Sequence, residues 1–186
     1  MSTKIVKNIE WKTKYVKKLK RRIALRIAYI TAAVLVFAIA VAILNLGRIK
    51  IAIYNKRGAD YYHKDMYDEA MVEFQKAIMI KPDYAEAHNN IGVIYRAKGI
   101  YENAIDEFQI AIRFKPKFAI AYYNLARVYS QKNDKRKAIE SLKRAIYLNE
   151  KFIDSASTEE AFGKIRNTLE FRELIGGKDE KKTIDR

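Results

Sequence analysis

The chain has no cysteine, so disulfides, thiolate nucleophiles and zinc sites built on thiolates are excluded. Proline occurs twice and glycine seven times in 186 residues. So few chain-breakers argue for a nearly all-helical protein and against sheets joined by tight turns. There are two histidines, His63 and His88, and both fall inside expected repeat helices. Glu86 is two residues from His88 and so points to another side of the helix, leaving no metal-binding pair at helical spacing. A glycine-rich phosphate loop is also missing. The paired carboxylates Asp68-Glu69 and Glu159-Glu160 read as acidic charge at the positive ends of helices. The expectation is therefore a binding protein and not an enzyme, without cofactor, metal or small-molecule substrate.

Positive charge is plentiful and unevenly placed. The net charge is +15; residues 1–46 carry ten Lys/Arg against one Glu, and residues 47–186 carry 27 against 21 Asp/Glu. Residues 1–26 form a basic segment. Residues 27–47, IAYITAAVLVFAIAVAILNLG, contain no charge. At about 1.5 Å per residue this run spans roughly 31 Å, against a bilayer core of about 30 Å. Its large apolar residues favour insertion by roughly 3 to 7 kcal/mol. A buried core helix would rarely lack a polar face over six turns. A cleavable signal peptide would have a shorter apolar run and a shorter basic region. The reading is a single transmembrane helix over 27–47.

Orientation is set by the flanks. Residues 12–26 hold eight Lys/Arg and residues 47–61 hold four. The positive-inside rule places the N-terminus in the cytoplasm and the remainder outside it, in a periplasm or its equivalent. Trp11, Tyr15 and Leu19 recur at spacing four, and with Lys17, Lys18, Lys20, Arg21 and Arg22 they suit an anionic membrane surface. The rival reading of this segment is nucleic-acid binding through counterion release, but basic residues beside a span usually set topology. Only Gly47 to Lys50 lie between the span and residue 51. Gly47 is either a joint or a point the helix runs through, and in both cases the next domain lies close to the bilayer.

From residue 51 the chain repeats itself. Blocks 51–82, 85–116 and 119–150 align, with Pro82 and Pro116 34 residues apart and Tyr61, Tyr95 and Tyr129 in the same register. A fixed period of this length implies stacked helix pairs. The matching residues are Tyr54, Gly58, Tyr61, Ala70, Phe74, Ala77 and Pro82 in the first block. In the second they are Ile91, Gly92, Tyr95, Ala104, Phe108, Ala111 and Pro116. In the third they are Tyr122, Leu125, Ala126, Tyr129, Ala138, Leu142 and Ala145. Small residues let helices approach, and Phe74, Phe108 and Leu142 fill the space between pairs. Asp83 is the expected N-cap before Tyr84, with Gly99 and Asn133-Asp134 in the turns between paired helices.

This pattern resembles the tetratricopeptide repeat family. Departures are Arg57 where an apolar residue is usual, His88 where a large aromatic is usual, and Glu150 where proline is usual. The resemblance implies that the first helix of each pair lines a concave partner-binding face. Carried over position by position, the candidates are Asn55, Lys56, Ala59 and Tyr62 in block one. Block two offers Glu86, Asn89, Asn90, Val93 and Arg96, and block three offers Tyr123, Asn124, Arg127 and Gln131. Asparagines can pair with both backbone groups of an extended peptide, and Arg96, Arg127 and Lys56 favour an acidic segment or a C-terminal carboxylate. One subgroup of the family clamps chaperone C-termini. Asn90 and Asn124 match its asparagines, but Ala59 and Ile120 replace an asparagine and a lysine, which argues against that ligand.

Residues 151–177 are expected to form capping helices. Ser157 and Glu160 make a capping-box pattern, and Phe162, Ile165, Leu169, Phe171 and Leu174 an apolar stripe. Gly176-Gly177 would stop the last helix, leaving 178–186 as a disordered tail. The whole reads as an all-α protein: one N-terminal transmembrane helix, a three-repeat solenoid and a cap. It would serve as a membrane-anchored scaffold or adaptor for a protein partner near that membrane, in the assembly of a membrane or envelope complex. The alternative is a constitutive subunit, its span packed on other spans and its solenoid docked permanently.

Overall fold

The computed structural model describes the backbone of residues 2–184 and the side chains of residues 11, 12 and 14–176. Among the described residues there are eight α-helices and no strand. They are α1 (Ser2–Tyr62), α2 (Tyr67–Ile80), α3 (Ala85–Ala97), α4 (Tyr101–Phe114), α5 (Ala119–Gln131), α6 (Lys135–Leu148), α7 (Phe152–Thr158) and α8 (Leu169–Ile184). A single 3-10 turn, Glu160–Phe162, lies between the last two. The chain divides into two units, residues 1–49 and 50–186.

The first unit is helix throughout its described length. Residues 47–50, expected as a possible joint, are helical, so the backbone is not broken at Gly47. The apolar residues of this unit are exposed: Phe37 is 70% and Leu44 68% accessible. The most apolar window has a mean hydropathy of 2.8 and no buried residue, so it is not a core helix of this chain. Thr31 Oγ1 donates to the Ala28 carbonyl at 2.9 Å, which satisfies its hydroxyl within the helix. Trp11 and Tyr15 stack with ring centroids 5.6 Å apart, as spacing four on one helix face predicts.

In the second unit the repeats are helix pairs. The last three turns of α1 pair with α2, α3 with α4, and α5 with α6. Each pair is joined by the same turn. Asp65, Gly99 and Asn133, spaced 34 apart, have φ of 57°, 74° and 64°. The residue after each closes the turn from its backbone N–H, as in Met66 to Tyr61 O, Ile100 to Tyr95 O and Asp134 to Tyr129 O. This is a Schellman termination, which demands one left-handed residue. Gly99 and Asn133 were legible as that residue; Asp65 fills the same place in the first block. His63 falls in this turn and not in a helix.

The close approach of paired helices is visible at the glycines. A Cβ on Gly58 would lie 2.6 Å from the Phe74 ring, and one on Gly92 would lie 2.7 Å from Phe108. In the third pair Ala126 replaces glycine, and Leu142 replaces the phenylalanine. The smaller partner leaves room for the extra methyl, and both residues are fully buried.

The start of α3 differs from expectation. Asp83 does not cap it; Tyr84 stands at that position without a side-chain cap, and its backbone carbonyl accepts from Ala87 N instead. Asp134 does cap α6, accepting from Lys137 N at 3.1 Å. Where Glu150 replaces proline, Asn149 Oδ1 accepts from Lys151 N and turns the chain.

The C-terminal region departs most from expectation. No helix starts at Ser157. It lies in the last turn of α7, and its hydroxyl donates to Asp154 O rather than forming a capping box with Glu160. Thr168 caps α8 instead, with Oγ1 accepting from Phe171 N at 3.3 Å. Phe162, Ile165 and Phe171 are buried and Leu174 packs against them, but Leu169 is 64% exposed. Gly176 and Gly177 do not stop α8, which continues to Ile184. Two glycines cost a helix about 1 kcal/mol each, and the Lys and Glu beyond them are good helix formers. Residues 185–186 of the expected tail lie outside the described residues.

Candidate partner-binding groove

The face formed by the first helix of each pair carries a continuous line of side-chain amides. Asn90 Nδ2 donates to Asn55 Oδ1 at 3.0 Å, and Asn124 Nδ2 donates to Asn89 Oδ1 at 3.0 Å. Asn89 Nδ2 reaches Asn90 Oδ1 at 3.3 Å and joins the two bonds. Arg127 Nη1 extends the line to Asn124 Oδ1 at 3.4 Å, and its Nη2 donates to Glu159 Oε1 at 3.2 Å. Each bonded pair is 35 residues apart, one more than the period, so each joint runs to the neighbouring position in the repeat before it. Asn89 and Asn124 are buried at 6% and 3% accessibility, so they serve the line itself. Asn55 and Asn90 are half-buried, and Asn90 lines the smaller of two clefts.

Two clefts open along this face. The smaller, about 200 Å³, is lined by Ala59, Tyr62, His63, Phe74, Asn90 and Val93. The larger, about 770 Å³, is bounded by Arg96, Tyr101, Arg127 and Gln131 on one side and by residues of 159–164 on the other. Thus the structure brings Tyr62 and Asn90 to one cleft and Arg96 and Arg127 to the other. Lys56 is exposed and lines neither. Glu86 is taken by Lys115, whose ammonium lies 2.7 Å away. Burial pushes the Glu86 carboxyl up, but the hydrogen bond from Lys115 and its charge outweigh this and hold it below its ordinary value.

Tyr123 is not a groove residue. It is 4% accessible, stacked on Phe152 at 4.6 Å and met edge-on by Phe162 at 5.5 Å. Burial, with the neighbouring Glu159 carboxylate, pushes its phenol up to about 12. The cover is the C-terminal segment. The 3-10 turn packs on α5, and Glu159 and Lys164 reach Arg127 and the Gln131 carbonyl. Glu159 is therefore paired in the groove and does not serve a helix end, correcting the reading of Glu159-Glu160. Asp68 and Glu69 do occupy the first turn of α2. Sequence reasoning missed Glu159, Lys164 and Tyr101 as groove residues; the signal was a buried-aromatic pattern at 152–171 too irregular for a helix.

His88 stands where Tyr122 stands one repeat later, and both reach the same kind of acceptor. His88 Nε2 lies 3.0 Å from Pro82 O, and Tyr122 donates to Pro116 O at 3.4 Å. The other ring nitrogen, Nδ1, is 2.8 Å from Glu107 Oε2. That hydrogen bond raises the imidazole above its ordinary value, against the opposing effect of burial. Among the described residues no group of three His, Asp or Glu is placed to hold a metal ion.

Stacked helix pairs that share one polar face define a helical-repeat solenoid. The family model described as TPR repeat matches residues 58–99 and 92–133, and that described as tetratricopeptide repeat matches 119–152. Together they span about half the chain, which belongs to the tetratricopeptide repeat family. No curated protein matches it. Among solved structures, a crystal structure of MamA is 25% identical, with TM-score 0.58 over 72% of this chain and 75% of that one. The first such domain of Spaghetti, bound to the HSP90 peptide SRMEEVD, is 15% identical, with TM-score 0.53 over 72% and 94%. The yeast Sti1 TPR2B domain in complex with pHsp70 is 20% identical, with TM-score 0.55 over 63% and 94%. The family's fold is in general a non-catalytic scaffold.

Proposed function

We propose that this protein is a membrane-anchored scaffold that binds an extended segment of a partner protein in its concave face. The observation that carries the reading is the amide line from Asn55 to Arg127, flanked by two open clefts. An extended peptide needs donors and acceptors for its backbone, and half-buried Asn55 and Asn90 supply both. The Spaghetti domain holds an HSP90 peptide and the Sti1 domain is in complex with pHsp70, which supports the reading.

The anchor is residues 27–47. In water their exposed side chains would cost much of what burial normally gains, about 25 cal/mol per Å² of apolar surface. A bilayer removes that cost. The basic flank of residues 12–26 orients the N-terminus to the cytoplasm and the repeats away from it, and Trp11 with Lys17, Lys18, Lys20, Arg21 and Arg22 meets the anionic headgroups. The partner is then a protein of that membrane or its envelope, and the role is assembly.

The cysteine-free sequence makes the test direct. Asn90→Cys and Thr3→Cys are introduced separately into the full chain. An impermeant thiol reagent on intact spheroplasts labels the first and not the second; the reverse pattern sinks the orientation. A photocrosslinker on Asn90→Cys joins one partner reproducibly, whereas the same reagent on exposed Gln109→Cys on α4 does not. Equal capture from both positions sinks the groove.

A further inference from the structure

The second unit satisfies most of its buried polar atoms, and three of the exceptions line one cleft. Among the described residues, the buried side-chain atoms without a protein partner include Arg96 Nε, Arg127 Nε and Gln131 Oε1. These three residues line the same cleft of about 770 Å³. Arg127 has Glu159 as its carboxylate, at 3.2 Å. Arg96 has none: no carboxylate among the described residues lies within ion-pair distance of it. It is nonetheless half-buried. A guanidinium withdrawn from water without a carboxylate at ion-pair distance is costly, and a like charge nearby adds to the cost. Burial, with the neighbouring Arg127, pushes the Arg96 guanidinium below its ordinary value, and the charge of Glu159, already paired with Arg127, opposes this only in part.

The charge count of the cleft is short by one. Arg96, Arg127 and Glu159 leave one positive charge over, and Glu160 and Lys164 at the rim offset each other. One further carboxylate would make the cleft neutral and would give both guanidiniums a planar, two-oxygen acceptor. The cleft is also composite. Its far wall is residues 159–164, which lie beyond the third repeat, so the repeats alone do not make it.

We infer that the cleft between Arg96, Arg127 and the 159–164 segment is a subsite for a single carboxylate of a bound peptide, with Glu159 acting as its internal counter-charge. It rests on the reading of the concave face as a peptide groove and adds the chemistry of one position in the ligand. The carboxylate is either an acidic side chain or a free C-terminus. Glu159 makes the site selective for one negative charge. It reduces the positive field that a second carboxylate would require, and it holds the 159–164 wall in place through Arg127.

The test uses the full chain in detergent micelles at physiological ionic strength and three fluorescein-labelled peptides of one neutral sequence. The first ends in an amide, the second ends in an amide and carries one internal Glu, and the third has a free C-terminus. Fluorescence anisotropy gives the affinities. Either carboxylate peptide is expected to bind about tenfold more tightly than the neutral one, the scale of a charge-assisted hydrogen bond; the tighter of the two identifies the source. Arg96→Gln removes the preference, read as the ratio of carboxylate-peptide to neutral-peptide affinity in the same variant, and Arg96→Lys restores part of it. Glu159→Gln raises the affinity for a peptide with two adjacent Glu. Circular dichroism confirms that each variant is helical. If Arg96→Gln keeps the full preference, the charge selectivity belongs to the basic residues 12–26 and the inference is overturned. It is also overturned if the native chain shows no preference. In either case binding of the neutral peptide, together with crosslinking at position 90, would leave the groove reading standing.

Discussion

The second and third repeats occupy equivalent positions in the same array, yet their groove faces meet different fates. In the second, Asn89 is buried in the amide line, but Asn90, Val93 and Arg96 are half-exposed and border clefts. In the third, Tyr123 and Asn124 are buried, Tyr123 against Phe152 and Phe162, and Arg127 is tied to Glu159. Their interiors differ too: Gly92 against Phe108 in one, Ala126 against Leu142 in the other. A repeat position therefore specifies which way a side chain points but not what lies over it. The covering belongs to the segment C-terminal to the repeats.

The sharpest way to break the comparison is to lift the cover. Phe162 is fully buried, against Tyr123 and Phe171. Phe162→Ala should cost about 3 to 5 kcal/mol of stability. Amide hydrogen exchange should rise across 152–171 and at Tyr123 while α3 stays protected. Equal loss of protection in α3 would mean that the cover supports the whole array. A smaller effect comes from exchanging interiors. Gly92→Ala alone should destabilise by about 1 to 3 kcal/mol, because its methyl meets the Phe108 ring. Gly92→Ala with Phe108→Leu reproduces the third repeat and should recover much of that loss in urea denaturation. Additive costs would show that the two pairings are not interchangeable solutions.

The smallest effect is a pH dependence that follows from His88 in the second repeat, where the third repeat has Tyr122. The Glu107 hydrogen bond raises the His88 imidazole above 6.5 in the folded chain, so the folded state holds its proton more tightly than the unfolded state. This stabilisation is complete below about pH 6.5 and is lost as pH rises through the folded value. His88→Tyr copies the third repeat, keeps the contact to the Pro82 carbonyl and should abolish the dependence. Thermal unfolding of both proteins across that range reads the difference, and an unchanged slope would assign it to another group.

Much of the fold was legible because the repeat is dense in meaning. The 34-residue period, the small residues at 58, 92 and 126, and the turn residues Gly99 and Asn133 each have one physical solution. The groove was legible in part. Asn90, Arg96 and Arg127 border the two clefts on the face where the register puts them, since register is local. Tyr123 was misplaced because its burial depends on Phe152 and Phe162, which lie outside the repeats. Glu159 was misassigned because charge near a helix start usually serves the helix dipole, and here an arginine 32 residues earlier competes successfully. Ser157 with Glu160 satisfied the letters of a capping box, but the chain needed a turn there to bring Phe162 inward. Thr168, further along the chain, takes the capping role.

The amide line has a direction, and the direction works as grammar. Each joint runs from the sixth residue of one repeat to the fifth of the repeat before it: Asn90 to Asn55, and Asn124 to Asn89. The first repeat has Lys56 in its sixth place, with no earlier repeat to address. The third has Tyr123 in its fifth place, which offers no amide carbonyl to a successor. Start and stop are thus written into two single positions. Tandem duplication of residues 85–118 would insert a unit that reads correctly on both sides, whereas duplication of 119–152 would place a tyrosine at the junction.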